Sequence, residues 1–128
     1  MPLSLEDRLD IQDLIALYGH LIDGREFSRL DEIFTTDAVF DLGGFDGTRF
    51  EGLDAIVQMM IDSEQHPLGH HATNVLVQDG EPVSVLSKGI GVGNGGRVGS
   101  VIYRDSLCRT GAGWRIFERY CELRRPEN

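Results

Sequence analysis

The chain has 128 residues, which is enough for one domain (1–128) with a buried core and a ligand-sized hollow, and we do not expect a second domain. Its formal net charge of -9 repels phosphate backbones and anionic lipid surfaces, so we expect no binding to nucleic acid or to a membrane surface. No run is apolar for long enough to cross a bilayer and the N-terminus lacks a secretory signal pattern, so we expect a cytoplasmic protein whose Cys108 and Cys121 stay reduced.

The first predicted element is an amphipathic helix over residues 4–22, where apolar residues recur at helical spacing. Ser4 and Asp7 have the spacing of a variant capping box at its start. Gly24 can end it. Tyr18 falls on the apolar stripe, which fits either a core tyrosine or a hydroxyl that faces a ligand.

Two more helices and five strands are predicted after it. The helices are expected at 27–34 and 53–63, and the strands at 38–42, 70–78, 82–90, 98–109 and 114–123. Short glycine-containing turns separate the last four strands, which predicts antiparallel hairpins. Helices followed by a meander of strands indicate an α+β fold, in which a strongly curved, mostly antiparallel sheet wraps around three N-terminal helices.

Asp23 has two interpretations that its spacing leaves open. With Glu26 three residues later, it has the form of a capping box for the second helix. At the C-terminal end of the first helix, however, the carboxylate meets the negative end of the helix dipole, which favours a cationic partner. A nearby imidazole would be such a partner, and the pair would form a general base.

His70 and His71 begin the strand that follows the third helix. Successive strand side chains point to opposite faces, so His70 and Asn74 share one face and His71 lies on the other. One imidazole therefore points inward in either register. His66 stands four residues before His70, but Pro67 interrupts any helix that would align the two rings, and no metal or other cofactor is expected.

Arg119 alternates with Cys121 on the last strand, so it can point inward toward either Asp105 or a ligand anion, and we favour the structural pair with Asp105. Residues 91–96 match a dinucleotide-binding glycine pattern only formally, because they lie between two strands. The apolar residues expected to line the pocket are Phe40, Met59 and Trp114.

Several segments in this order resemble the SnoaL-like group of the nuclear-transport-factor-2-like superfamily. The segments are 5–23, 30–34, 37–40, 52–56, 70–74, 103–105 and 113–116. The resemblance covers nearly the whole chain. It implies a cone-shaped α+β barrel with a deep apolar pocket for a small hydrophobic molecule, usually in a homodimer.

The dehydratase and dehydrochlorinase branch of that superfamily has an aspartate after the first helix and a histidine on the strand after the third, which Asp23 and His70 match. Tyr18, five residues before Asp23, is similar to the tyrosine of bile-acid dehydratase. The resemblance thus implies a dehydratase in which His70 is the base, Asp23 its orienter and Tyr18 the acid. The residues expected to contact the substrate are His71, Asn74, Phe40, Met59, Trp114 and Arg119. A polyketide cyclase and a non-catalytic binding or subunit-assembly module are the alternatives.

Overall fold

The computed structural model describes residues 2–63 and 66–124. The helical elements are α1 (Leu5–Asp23), a 3₁₀ helix (Phe27–Glu32), α2 (Leu53–Asp62) and a short 3₁₀ turn (Asn94–Gly96). The strands are β1 (Phe34–Gly44), β2 (Arg49–Glu51), β3 (Gly69–Gln78), β4 (Val83–Val92), β5 (Val98–Thr110) and β6 (Gly113–Arg124). The first strand is much longer than predicted, and β2 was not predicted.

Helix α1 begins with the predicted capping box. The Asp7 backbone N–H donates to the Ser4 hydroxyl, and the Ser4 backbone N–H donates to the Asp7 carboxylate. At the other end, the Gly24 backbone N–H donates to the His20 carbonyl. The helix ends at Asp23, which places this carboxylate at its C-terminal end as the sequence suggested.

The six strands form one mixed sheet in the order β2-β1-β6-β5-β4-β3. All neighbouring pairs are antiparallel except β1 with β6, which run parallel. The predicted hairpins are therefore present, and the α+β class is confirmed. The sheet is open, because β2 and β3 form its two edges and do not pair with each other.

The core lies between the helices and one face of the sheet. Ile11, Ile15 and Leu21 of α1 are buried against inward-facing side chains of β4, β5 and β6, such as Val85 and Leu107. Burial of this apolar surface is the main stabilising contribution. The same face also carries buried polar side chains, and these form part of the candidate site.

A β-bulge interrupts the alternation of β3. Asn74 has a positive φ of 52°, and the pairing of β3 with β4 shifts register between Thr73 and Leu76. Beyond the bulge Val75 and Val77 pack on the core, whereas Asn74 is exposed. The expectation that Asn74 shares the inward face with His70 is therefore wrong, because an inserted residue in the left-handed region reverses the side-chain alternation.

Within residues 2–63 and 66–124, no helix is both long enough and apolar enough to cross a membrane.

Candidate active site

The structure brings Asp23 and His70 into direct contact. His70 Nδ1 lies 2.6 Å from Asp23 Oδ1, and the His70 backbone N–H donates to Asp23 Oδ2 at 2.8 Å. An ionised carboxylate can only accept, so Nδ1 is the donor in this pair, and in a neutral imidazole the lone pair is then on Nε2. The imidazole is thereby held in the tautomer that can take a proton at Nε2.

Asp23 reaches His70 because α1 and β3 approach each other closely. A Cβ added to Gly19 would stand 2.7 Å from the His70 carbonyl oxygen, closer than real Cβ atoms come to any neighbour. Only glycine fits at this position without a shift of the backbone. The predicted cap of the second helix is absent, since that element begins at Phe27 and its N-cap residue is Glu26, with no side-chain capping hydrogen bond. Asp23 therefore serves the histidine and not the helix.

A small cavity lies beside the His70 ring. Its lining residues are Ile15, Tyr18, Gly19, His70, His71, Ala72, Gly89, Tyr103 and Arg119. Its volume is about 10 Å³, which is roughly what a single water molecule needs. A cyclic ligand can therefore enter only if the side chains that close the cavity move apart.

Arg119 forms the charged wall of this cavity. Its Nε and Nη2 donate to the two carboxylate oxygens of Asp105 at 2.7 and 2.9 Å, as predicted for the structural pair. Both side chains are almost fully buried. Among the described residues, Arg119 Nη1 is buried without a hydrogen-bond partner. The Arg119 guanidinium therefore has a donor that its pair with Asp105 does not use.

Two tyrosines enclose the Arg119 guanidinium. Its Cζ lies 4.4 Å from the centre of the Tyr18 ring and 4.1 Å from that of Tyr103, within the range of cation–π attraction. Burial raises the pKa of Tyr18 well above its ordinary value, although Arg119 opposes the shift. Burial likewise raises the pKa of Tyr103 to about 12. Both hydroxyls therefore stay protonated and can donate hydrogen bonds.

The other predicted contact residues lie away from this cavity or only at its edge. His71 lines the cavity but is largely exposed, and exposed Asn74 does not line it. Phe40 is buried behind Tyr18, with ring centres 6.5 Å apart, and Met59 is half-buried against the core. Trp114 lines a separate open cleft between α1 and the β5–β6 hairpin and donates from Nε1 to Asp7 at 3.2 Å.

Sequence reasoning missed five lining residues: Ile15, Gly19, Ala72, Gly89 and Tyr103. A usable signal existed for two of them. Tyr103 alternates with Asp105 on β5 and so shares the face of the predicted Arg119 partner. A glycine inside a strand, such as Gly89, often marks a close approach of another group.

The described part of the chain contains no cluster of three or more His, Cys, Asp or Glu side chains that could hold a metal ion. His66 Nε2 instead lies 2.8 Å from the Met60 carbonyl oxygen.

Comparison of the sequence with known proteins identifies its family. A family model described as a SnoaL-like domain matches residues 3–120. An uncharacterized protein of Mycobacterium tuberculosis strain H37Rv is 35% identical over 128 residues, which covers 91% of this chain and 84% of that protein.

Solved structures give the same fold. A protein from Novosphingobium aromaticivorans, provisionally described as an aromatic ring hydroxylase, is 31% identical with a TM-score of 0.78, over 98% of this chain and 94% of that one. The hexachlorocyclohexane dehydrochlorinase LinA-type3 from Novosphingobium barchaimii is 21% identical with a TM-score of 0.76, over 95% and 92%. Other matches are described as having a cystatin-like fold, one of them as a nuclear-transport-factor-2-like protein.

Proposed function

Because this chain belongs to the SnoaL-like family, we propose that it is a cofactor-independent lyase or isomerase that removes a proton from a hydrophobic cyclic molecule. Elimination of water is the reaction that we favour. The observation that carries the proposal is the 2.6 Å contact between His70 Nδ1 and Asp23 Oδ1 beside a cavity. We place the protein in the cytoplasm, where its free Cys108 and Cys121 stay reduced.

The proposed reaction uses a β-hydroxy ketone as its simplest substrate. His70 Nε2 takes a proton from the carbon next to the carbonyl group, and Asp23 stabilises the positive charge that the imidazole gains. The electron pair of the broken C–H bond forms a double bond as the bond to the β-hydroxyl group breaks. Tyr18 donates a proton to the departing hydroxyl group, which leaves as water. The His70 proton then returns to Tyr18 through solvent, so that no oxidant or other co-reactant is needed.

The experiment follows conversion of β-hydroxy ketones, beginning with 3-hydroxycyclohexanone, to the corresponding enones by their ultraviolet absorbance. We expect His70→Ala and Asp23→Asn each to lower kcat by about 10²–10⁴-fold, the usual contribution of a general base. His20→Ala is the matched control, because His20 is exposed on α1. Parent-like turnover in both site variants would refute the proposal, as would the absence of turnover across steroid-like and polyketide-like members of the panel.

A binding or subunit-assembly module is the second candidate. The cavity volume of about 10 Å³, far below the roughly 300 Å³ at which small-molecule pockets usually begin, favours the assembly form, which needs no room for a ligand. The same panel separates these functions, since an assembly module would neither bind nor convert cyclic ketones, whereas a binding module would bind them without turnover and without dependence on His70.

A further inference from the structure

Tyr103 is a second tyrosine at the cavity, and the proposed reaction leaves it without a role. It lies on β5, and its side chain is 8% exposed. Its ring centre is 6.1 Å from that of Tyr18, and both residues line the cavity with His70. The two phenol rings therefore belong to one wall, but they come from different elements, a helix and a strand.

Gly89 determines where the Tyr103 phenol lies. A Cβ added to Gly89 would stand 2.5 Å from Cε2 of the Tyr103 ring and 3.2 Å from its hydroxyl oxygen. The edge of the Tyr103 ring thus occupies the space that a side chain at position 89 would fill. Gly89 itself lines the cavity, so the hydroxyl group that lies over it is at the cavity wall.

The Tyr103 ring packs against a charged hydrogen-bond donor, the Arg119 guanidinium, which stacks on it. The Nε and Nη2 of Arg119 donate to Asp105, whereas Nη1 is buried without a hydrogen-bond partner among the described residues. The raised pKa of Tyr103 keeps its hydroxyl protonated across the neutral range. A bound molecule with an acceptor oxygen beside the Tyr103 hydroxyl satisfies this donor, whereas a pure hydrocarbon leaves it without a partner.

We propose that Tyr103, held in place by Gly89, donates a hydrogen bond to a carbonyl or enolate oxygen of the bound molecule and so selects oxygenated cyclic ligands. The inference rests on the proposed function only for the location of the site. In the proposed reaction the same bond would stabilise the negative charge that develops on the carbonyl oxygen when His70 removes the neighbouring proton.

The test compares cyclohexanone with methylenecyclohexane, which has the same ring and a CH₂ group in place of the oxygen. Affinities are measured by titrating each compound into ¹⁵N-labelled protein and following the amide signals by NMR. We expect the parent to bind the ketone more tightly by about two- to tenfold, the value of one neutral hydrogen bond. Tyr103→Phe should bring this ratio close to one, while Tyr120→Phe, a change on the half-buried third tyrosine, should leave it unchanged.

Gly89→Ala provides a second variant that keeps the hydroxyl but displaces it, and it should reduce the ratio as well. Equal binding of the two compounds by the parent, no binding of either, or an unchanged ratio in Tyr103→Phe would each overturn the inference. His70→Ala should keep the ratio while losing turnover. Failure of the proposed reaction and failure of the Tyr103 assignment are therefore distinguishable.

Discussion

Asp23 controls both the ring and the backbone of His70. One carboxylate oxygen faces Nδ1 and the other accepts the His70 backbone N–H, so the Asp23 carboxylate cannot rotate away from the imidazole without breaking a bond to the main chain as well. Positioning of this kind matters for a general base, because a displacement of about 1 Å can cost two orders of magnitude in rate. The geometry of α1 against β3 is therefore as important to the site as the two side chains.

Gly19→Ala tests this dependence. The new Cβ would meet the His70 carbonyl oxygen at 2.7 Å, so α1 and β3 must separate and lengthen the contact between Asp23 and His70. We expect a loss of about 1–3 kcal/mol in the free energy of unfolding, typical of overpacking at a tight contact. Urea denaturation measures this loss. The downfield ¹H signal of the His70 Nδ1 proton should also weaken or disappear.

Gly99→Ala is the control for this prediction, because a Cβ at Gly99 meets nothing within 4 Å. Unchanged stability of Gly19→Ala, together with a retained downfield signal, would show that the close approach does not hold the histidine in place.

At the residue scale, the sequence predicted the contact between Asp23 and His70 through a family resemblance, since 47 positions separate the two residues. It also predicted the pair of Arg119 with Asp105, because both fall on inward positions of neighbouring strands. It could not predict that Trp114 lies outside the cavity. Trp114 is near the start of β6, and only the packing of the finished fold decides which end of a strand borders the hollow.

At the element scale, the N-terminal end of α1 is joined to two hairpins of the sheet. Asp7 accepts from Trp114 Nε1 and pairs with Arg109 on the β5–β6 hairpin, in addition to its capping bond with Ser4. On the other side, Arg8 pairs with Asp79 after β3 at 3.2 Å. These contacts fix the helix that carries Tyr18 and Asp23 at its far end.

We predict that Asp7→Ala lowers the melting temperature near neutral pH by more than Asp10→Ala. Asp10 is exposed on the same helix, and it forms no ion pair in the described part of the chain. The hydrogen bond from the Ser4 backbone, followed by that from Trp114, holds the pKa of Asp7 below its ordinary value of 3.8. A depressed folded-state pKa stabilises the protein above the unfolded value, and this stability is lost as the pH falls through the folded-state pKa.

The difference between the parent and Asp7→Ala should therefore shrink as the pH falls below about 4. Thermal unfolding followed by circular dichroism over this pH range measures it. A difference that persists unchanged at the lowest pH would show that the Asp7 charge is not its source.

The elements themselves were predicted with uneven success for physical reasons. Helix α1 and strands β3 to β6 are long and periodic, and their predicted bounds lie within a few residues of those observed. The bulge at Asn74 could not be predicted from periodicity, because it is a single inserted residue. Asparagine is no guide either, since it is also common in ordinary turns. The parallel pairing of β1 with β6 joins the two halves of the chain, so no local turn sequence encodes it.

At the scale of the whole molecule, the outer face of the sheet exposes large apolar side chains, although the chain has a net charge of -9. Leu76 and Ile90 are 57% and 38% exposed, and Leu86 and Ile102 lie half-buried beside them on β4 and β5. Neighbouring outward positions are basic on β4 and β5 (Lys88 and Arg104) and acidic on β6 (Glu118 and Glu122). A twofold rotation can bring the basic positions of one copy next to the acidic positions of another.

We therefore expect a homodimer in which the outer faces of two sheets pack together. Leu76→Glu should give a monomer, because a twofold interface contains the substitution twice and each buried leucine contributes about 1.5–3 kcal/mol. Leu9→Glu is the matched control, since Leu9 is 58% exposed but lies on α1. Size-exclusion chromatography with light scattering measures the mass of each variant. A monomeric parent would contradict the dimer, and a dimer that survives Leu76→Glu and dissociates with Leu9→Glu would place the interface on another face.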